Sequence, residues 1–447
     1  MTKYMMLLAD LETWIDHAKQ GDKLPSIRLL ARQYNYSHST IIRALQELEQ
    51  RHLVYSIPKS GFFVVKNTKD VKEKQSSLLD FVSASPDPDI FPYVDFQHCM
   101  NKAIDTYRSE LFIYGMPHGL PALIQVIQKQ LMSYQVFVNT RQIIITSGVQ
   151  QALSILSELE FPSGKQKVLV EQPGYHLLME LLETRGIPVA GINRTAKGID
   201  LDELEQLFRT GNIKFFYTIP RFHNPLGSSY DEETKQKIAE LAERYDVYIV
   251  EDDYMGDFEQ NSKSDPIYAY SRASRVIYLK SYSKIIFPGL RVGAAILPES
   301  LVEAFTRYKR ILDIDSAAMS QAALEIYIKS GMFARHRARV ISSYAEKALV
   351  LDSALKHLAE LHPELVAYIP PAQPMILNHF LLKKRALTGK LISALKQKSI
   401  LLGSMEPHYL HSFEQLPIVK LNVSQLNINQ IQAGMEQLSL IISRMRD

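Results

Sequence analysis

Four side chains in one short stretch have types and spacing that could do chemistry together. In Ser281-Tyr-Ser-Lys284-Ile-Ile-Phe-Pro-Gly-Leu-Arg291, a lysine follows Ser281 and Ser283 and precedes Arg291 by seven residues. A desolvated amine loses its proton and attacks a carbonyl to give a Schiff base. Hydroxyls and a guanidinium beside it suit a phosphate. Alone, such a lysine is most simply read as a solvated surface residue. The combination asks for an aldehyde that carries a phosphate, which is the chemistry of pyridoxal phosphate.

The elements around this stretch place it where such a ligand would bind. The apolar run Val276-Ile-Tyr-Leu reads as a buried strand that ends just before Lys284. Further strands are expected at Ile143–Thr146, Lys167–Val170, Phe215–Ile219, Val247–Glu251 and Ala294–Leu297, with amphipathic helices between them, such as Asp231–Tyr245. Alternation of this kind predicts an α/β fold, a mostly parallel sheet with helices on both faces, whose ligands sit beyond the carboxyl ends of the strands.

Other candidates occupy strand ends too. Ser147-Gly148-Val149 opens a helix, where free N–H groups and the dipole suit a phosphate; its plain alternative is a turn and cap. Tyr175, in Glu171-Gln-Pro-Gly-Tyr175, could stack on an aromatic ring or be a core tyrosine. Asn224, in Asn224-Pro225-Leu-Gly227, could donate to a phenolate oxygen or mark an ordinary turn. Glu251-Asp252-Asp253-Tyr254 fits Mg²⁺, or one carboxylate held against a protonated ring nitrogen. The Gly-rich loop that a Mg²⁺-dependent phosphotransferase needs is absent.

The N-terminal segment has a different design. Apolar residues Met6, Leu7, Leu11, Trp14, Ile15 and Ala18 recur at helical spacing over residues 4–19. Leu24-Pro25-Ser26 then caps a short helix, Ile27 to Gln33, carrying Arg28. Asn35 turns the chain, and Ser37 caps a helix from Ser39 to about Arg51 with inner face Ile41, Ile42, Leu45 and Leu48. Two short β runs follow around Pro58-Lys59-Ser-Gly61. This is a winged helix-turn-helix, in which Ser37, His38, Ser39, Thr40 and Arg43 would enter the major groove and Lys59 at the wing tip would reach phosphate or the minor groove.

Composition sets the frame. The 447 residues allow two or three domains, and 46% hydrophobic and 22% charged residues suit an ordinary soluble protein. Apolar runs are shorter than a membrane span, Asp10 and Glu12 interrupt any secretory leader, and one cysteine, Cys99, excludes an internal disulfide and argues against a cysteine metal site. A cytoplasmic protein with no bound metal is expected. Net charge is +3; residues 1–66 hold nine Lys/Arg against six Asp/Glu, and the remainder holds 42 of each. The domains are therefore read as 1–66 for DNA, a polar linker over 67–78, and 79–447 for the small molecule.

Residues 1–66 resemble the GntR family of regulators through Leu24-Pro25-Ser26-x-Arg28, Ser37-x-Ser39-Thr40, Ala44-Leu45-x-x-Leu48 and Gly61-x-Phe63-Val64. That family usually carries arginine where this chain has His38 and Ile42. Residues 80–447 resemble fold-type I pyridoxal-phosphate enzymes of the aspartate aminotransferase group through the ordered motifs above. The resemblance implies a small C-terminal α+β subdomain and a Schiff base on Lys284. It implies Asp252 at the ring nitrogen, Asn224 and Tyr254 at the ring oxygen, and Tyr175 stacked on the ring. Gly148, Val149, Ser281 and Arg291 would hold the phosphate, and Tyr114 would reach the phosphate of the neighbouring subunit of a homodimer.

The two halves in one chain resemble the MocR/GabR regulators, which implies a transcription regulator that binds double-stranded operator DNA and senses an amine, an amino acid or pyridoxal phosphate itself. The alternative is a working aminotransferase whose N-terminal domain controls its own gene. Where such enzymes place an arginine for the substrate carboxylate, this chain has Lys420, in Val419-Lys420-Leu-Asn422-Val, the candidate effector contact.

Overall fold

The structure, a computed structural model, describes residues 3–18, 21–50, 53–57, 60–64, 78–261, 264–271 and 275–445. The chain divides into two compact units, Met1–Leu78 and Leu79–Asp447. The expected linker lies almost wholly outside the described residues, as does Lys59.

The first unit packs the helices Lys3–His17, Ile27–Tyr34 and His38–Gln50 against an antiparallel hairpin of β1 (Val54–Ile57) and β2 (Gly61–Val64). Its core is Leu7, Leu11, Ile15, Leu24, Leu30, Ile41, Ala44, Leu45, Leu48, Val54 and Val64. The Ser26 hydroxyl caps the second helix by accepting from Leu29 N at 3.3 Å, and Asn35 ends it in the left-handed region at φ 52°. Thr40 N donates to Ser37 Oγ at 3.2 Å, so the expected cap of the third helix is present. The hairpin is tied to that helix by Glu49 Oε1, which accepts from Ser56 N at 2.9 Å. One assignment to an inner face needs correction: Ile42 is exposed on the third helix, where Ala44 takes the core position instead. Met6 and Trp14, at helical spacing on the first helix, are exposed.

The second unit is built on an eight-stranded sheet of β4 (Ile143–Thr146), β5 (Lys167–Gln172), β6 (Val189–Thr195), β7 (Gly198–Ile199), β8 (Ile213–Thr218), β9 (Tyr248–Asp253), β10 (Val276–Ser281) and β11 (Gly293–Ile296), after a short β3 at Leu79–Asp80. Its order is β4-β11-β10-β9-β8-β5-β6-β7. The strands β10, β9, β8, β5 and β6 run parallel, while β11 pairs antiparallel with β10 and β4.

Period-two alternation explains why both sheet faces are covered. Val168, Val170, Phe215, Tyr217, Tyr248 and Val250 pack with helices Val149–Glu158 and His176–Thr184. Leu169, Phe216 and Ile249 point the other way, against helices Leu201–Thr210 and Glu232–Arg244. Beyond the long helix Met332–Leu361, β12 (Val366–Ala367), β13 (Leu377–Leu382) and β15 (Ile418–Asn422) form a small antiparallel sheet with helices Ala386–Gln397 and Ile428–Ser443. β14 (Ile400–Leu401) pairs with β3, so the lead-in to the second unit is stitched to its small subdomain.

Candidate cofactor site and nucleic-acid interface

The carboxyl ends of β8, β9 and β10 converge on one cavity. Asn224, Tyr254 and Lys284 line it together with Ala84, Pro86, Tyr344, Asn422 and Ser424. Lys284 Nζ donates to Ala84 O, and burial pulls its amine down to about 8. The lysine is therefore close to the neutral form that attacks a carbonyl.

The acidic cluster at the end of β9 separates by partner. Glu251 accepts from Ile267 N and Tyr268 N, each at 2.9 Å. Asp253 accepts from Arg221 and Tyr278. Both are thus committed to holding loops and strands. Asp252 differs: Oδ2 accepts from Tyr217 at 2.8 Å, whereas Oδ1 is buried with no hydrogen-bond partner. Burial pushes this carboxyl up to about 7; the Tyr217 hydroxyl opposes the rise and Asp253 adds to it. An orphaned, desolvated carboxylate oxygen calls for a proton donor or a cation. A protonated ring nitrogen meets that need, and among the described residues no cluster of three metal-binding side chains exists.

Tyr175 feels both Asp252 and Arg291: burial and the Asp252 charge raise its phenol to about 12, and Arg291 opposes them. Gly148 precedes the helix Val149–Glu158 at φ 83°. A Cβ there would come within 2.8 Å of the Arg291 guanidinium, which donates to Ser147 O at 2.8 Å. Gly293 lets β11 approach the same turn, its added Cβ meeting Val149 N at 3.1 Å. Ser281 ends β10 and accepts from Ser283 N at 3.3 Å. The expected phosphate residues Gly148, Val149 and Arg291 are thus gathered at one point.

One residue sits otherwise than expected. The Tyr254 hydroxyl donates to Phe222 O at 2.9 Å. Tyr114 is 80% exposed and touches none of these groups within its own chain. Lys420 on β15 reaches Asn224 Oδ1 at 3.2 Å, and burial together with the Lys284 charge brings its amine down to about 8. His176 and His408 stand beside it with rings 5.1 Å apart, both held neutral first by burial and then by the Lys420 charge.

Several contributors escaped the sequence reading. Tyr217 looks like a core strand residue and buttresses Asp252. Glu171 accepts from Arg194, Thr218 and Tyr230 and stands 3.1 Å from His223, next to Asn224. The lead-in is fixed over the cavity by Lys347–Asp87 at 2.8 Å and by Ser424 Oγ donating to Ser85 O at 2.7 Å. Asn422, two residues past Lys420 on the same strand, was the readable signal; for the others only the tertiary fold brings them in.

In the first unit, Arg28, Ser37, His38, Ser39 and Arg43 are exposed around the helix-turn-helix, and Thr40 is half-buried with its hydroxyl 2.8 Å from Ser37 Oγ. The Arg43 guanidinium rests 5.3 Å from the Tyr4 ring centre. Gly61 opens β2 at φ 116°, a conformation that favours glycine.

A winged helix-turn-helix followed by an α/β unit with a strand-end lysine defines a regulator built on an enzyme fold. Comparison with known proteins agrees. Residues 3–64 match the bacterial regulatory proteins of the gntR family, and residues 90–412 match aminotransferase class I and II. The chain is 51% identical over 440 residues, 98% of its length and 99% of the relative's, to the HTH-type transcriptional regulator YcxD of Bacillus subtilis. It is 27% identical over 77% of its length to the HTH-type transcriptional regulator YjiR of Escherichia coli, covering 79% of that protein. The solved kynurenine aminotransferase of Pyrococcus horikoshii superposes with TM-score 0.75 at 23% identity, over 85% of this chain and 95% of that one. The chain belongs to the aminotransferase class I and II family and, with its gntR-family domain, to the HTH-type transcriptional regulators of this two-domain build.

Proposed function

We propose that the protein is a transcription regulator that binds double-stranded operator DNA through its N-terminal unit and pyridoxal phosphate through Lys284, and that a small amine, an amino acid or pyridoxal phosphate itself is its signal. The observation that carries this reading is the orphaned Oδ1 of Asp252, at the end of the strand beside the one that leads to a lysine whose amine burial lowers, on a chain that also bears a gntR-type domain.

The bound cofactor would supply an aldehyde for the amine and a ring that withdraws electrons. The protein's own groups do the rest. Lys284 offers a largely desolvated amine. Asp252 holds a proton at the ring nitrogen's position and keeps it there by charge. Asn224 and Tyr254 would address the ring oxygen, which requires the Tyr254 hydroxyl to leave Phe222 O. Gly148, Val149, Ser281, Ser283 and Arg291 would hold the phosphate, with Tyr114 supplied by the second subunit of a homodimer. Lys420 would meet the signal molecule's anionic group, as a point charge rather than a fork. Residues 1–66 would contact DNA through Ser26, Arg28, Ser37, His38, Ser39, Thr40, Arg43, Lys59 and Gly61, with 67–78 as the tether and the cytoplasm as the working compartment.

The second reading, an active aminotransferase, is supported by Lys284 and Asn224 in the cavity, with Asp252 at the end of the adjoining strand β9. The absence of a carboxylate-clamping arginine at Lys420 weighs against it. Duplex DNA from the protein's own upstream region, titrated at moderate salt with cofactor-loaded protein, tests the regulator. Selective binding that changes when an amine is added supports it. No selective binding, together with steady conversion of an amino acid and a keto acid that is lost in Lys284→Ala, supports the enzyme.

A further inference from the structure

The third helix of the first unit, His38–Gln50, buries Ile41, Ala44, Leu45 and Leu48 completely. Its outward positions are His38, Ser39, Ile42, Arg43 and Gln46. Four of these five are polar. Ile42 is 39% exposed and takes no part in the unit's core. His38, Ile42 and Gln46 are spaced by four and so lie in one row, with Ser39 and Arg43 in the row beside it. An isoleucine thus stands in the middle of the helix face that would meet DNA.

This argument rests on the reading that the unit binds duplex DNA. The basic residues exposed around the helix-turn-helix, Arg28, Arg32 and Arg43, give the charge that such an occupant needs. In the major groove, guanine offers two acceptors, cytosine and adenine offer amino donors, and thymine alone adds a methyl group. Ile42 has neither donor nor acceptor. Laid over a G·C edge it would strip water from O6, N7 or N4 and return nothing, which is unfavourable. Laid over thymine it covers apolar surface with apolar surface.

We propose that Ile42 is a specificity residue that reads the 5-methyl group of a thymine in each operator half-site. His38 and Ser39, at the helix start, and Gln46, one turn further on, would contact the base pairs to either side.

The test begins with the full-length protein and a pool of random duplexes, from which bound sequences are enriched. Each thymine of the selected duplex is then replaced singly by uracil, and affinity is read by fluorescence anisotropy at one fixed salt concentration. Uracil at one position per half-site is expected to weaken binding roughly fourfold, the value of one methyl group moved out of water. In Ile42→Ala that loss should disappear while other contacts persist. In Ile42→Arg the enriched base at that position should move from thymine to guanine. Sequence-selective binding that ignores every uracil substitution overturns the inference while leaving the DNA-binding reading intact. So does a uracil effect that survives undiminished in Ile42→Ala. Failure to enrich any duplex overturns the DNA-binding reading and the inference with it.

Discussion

Lys284 should capture an aldehyde at pH values where an ordinary lysine is inert. Burial lowers its amine from 10.5 to about 8. Each unit is a factor of ten in the ratio of free amine to ammonium, so at pH 7 the free amine is raised roughly 300-fold over a solvated lysine. The sign follows from desolvation, which penalises the charged form. Cofactor-free protein is mixed with excess pyridoxal phosphate at pH values from 6 to 10, and the visible Schiff-base band is followed in time. The capture rate should rise tenfold per pH unit up to about 8 and then level off. Lys420→Gln should leave the break near 8, because burial rather than the neighbouring amine sets it. A rate that climbs without a break to pH 10 would refute the reasoning, since it would mean that Lys284 is solvated.

Other perturbations probe the remaining groups. Asp252 is raised to about 7 in the folded protein, so it binds a proton that the unfolded chain has lost; its share of stability is complete at low pH and disappears as pH rises through 7. Thermal unfolding of the cofactor-free protein should therefore show stability falling between about pH 4 and 7, and Asp252→Asn should flatten that fall by about 4 kcal/mol. Gly148→Ala places a Cβ 2.8 Å from the Arg291 guanidinium at φ 83° and should weaken cofactor affinity more than tenfold in an equilibrium titration, with Lys284 still modifiable. Ser37→Ala removes the side-chain acceptor of Thr40 N, which also donates to Ser37 O at 3.1 Å, and should destabilise the first unit by about 1 kcal/mol in chemical denaturation. Lys284→Ala should abolish covalent cofactor attachment and retain selective DNA binding, which an added amine should no longer change.

The parts of this fold that follow simple periodicity were legible. Six strands of the large sheet show apolar runs long enough to read, and Lys284, Asp252 and Asn224 follow such runs directly. β6 was not legible, because Val189-Ala-Gly-Ile-Asn-Arg-Thr looks like a polar loop. Its Arg194 is fully buried on Glu171, and Gly191 makes room for Phe413, partners that local sequence cannot show. The third helix of the first unit misled in the opposite direction. Ile42 fits the apolar spacing as well as Ala44 does, and only the packing shows that the smaller residue faces inward. The lead-in residues Ala84 and Pro86 reach the cavity through β3 and its pairing with β14, a contact more than 300 residues away in sequence.

The central claim is tested most directly by reducing the cofactor-loaded protein with borohydride and mapping the labelled peptide. The account predicts a visible Schiff-base band that borohydride abolishes, with the label on Lys284 and none on Lys420. No band in excess pyridoxal phosphate, or a label on another lysine, would contradict it.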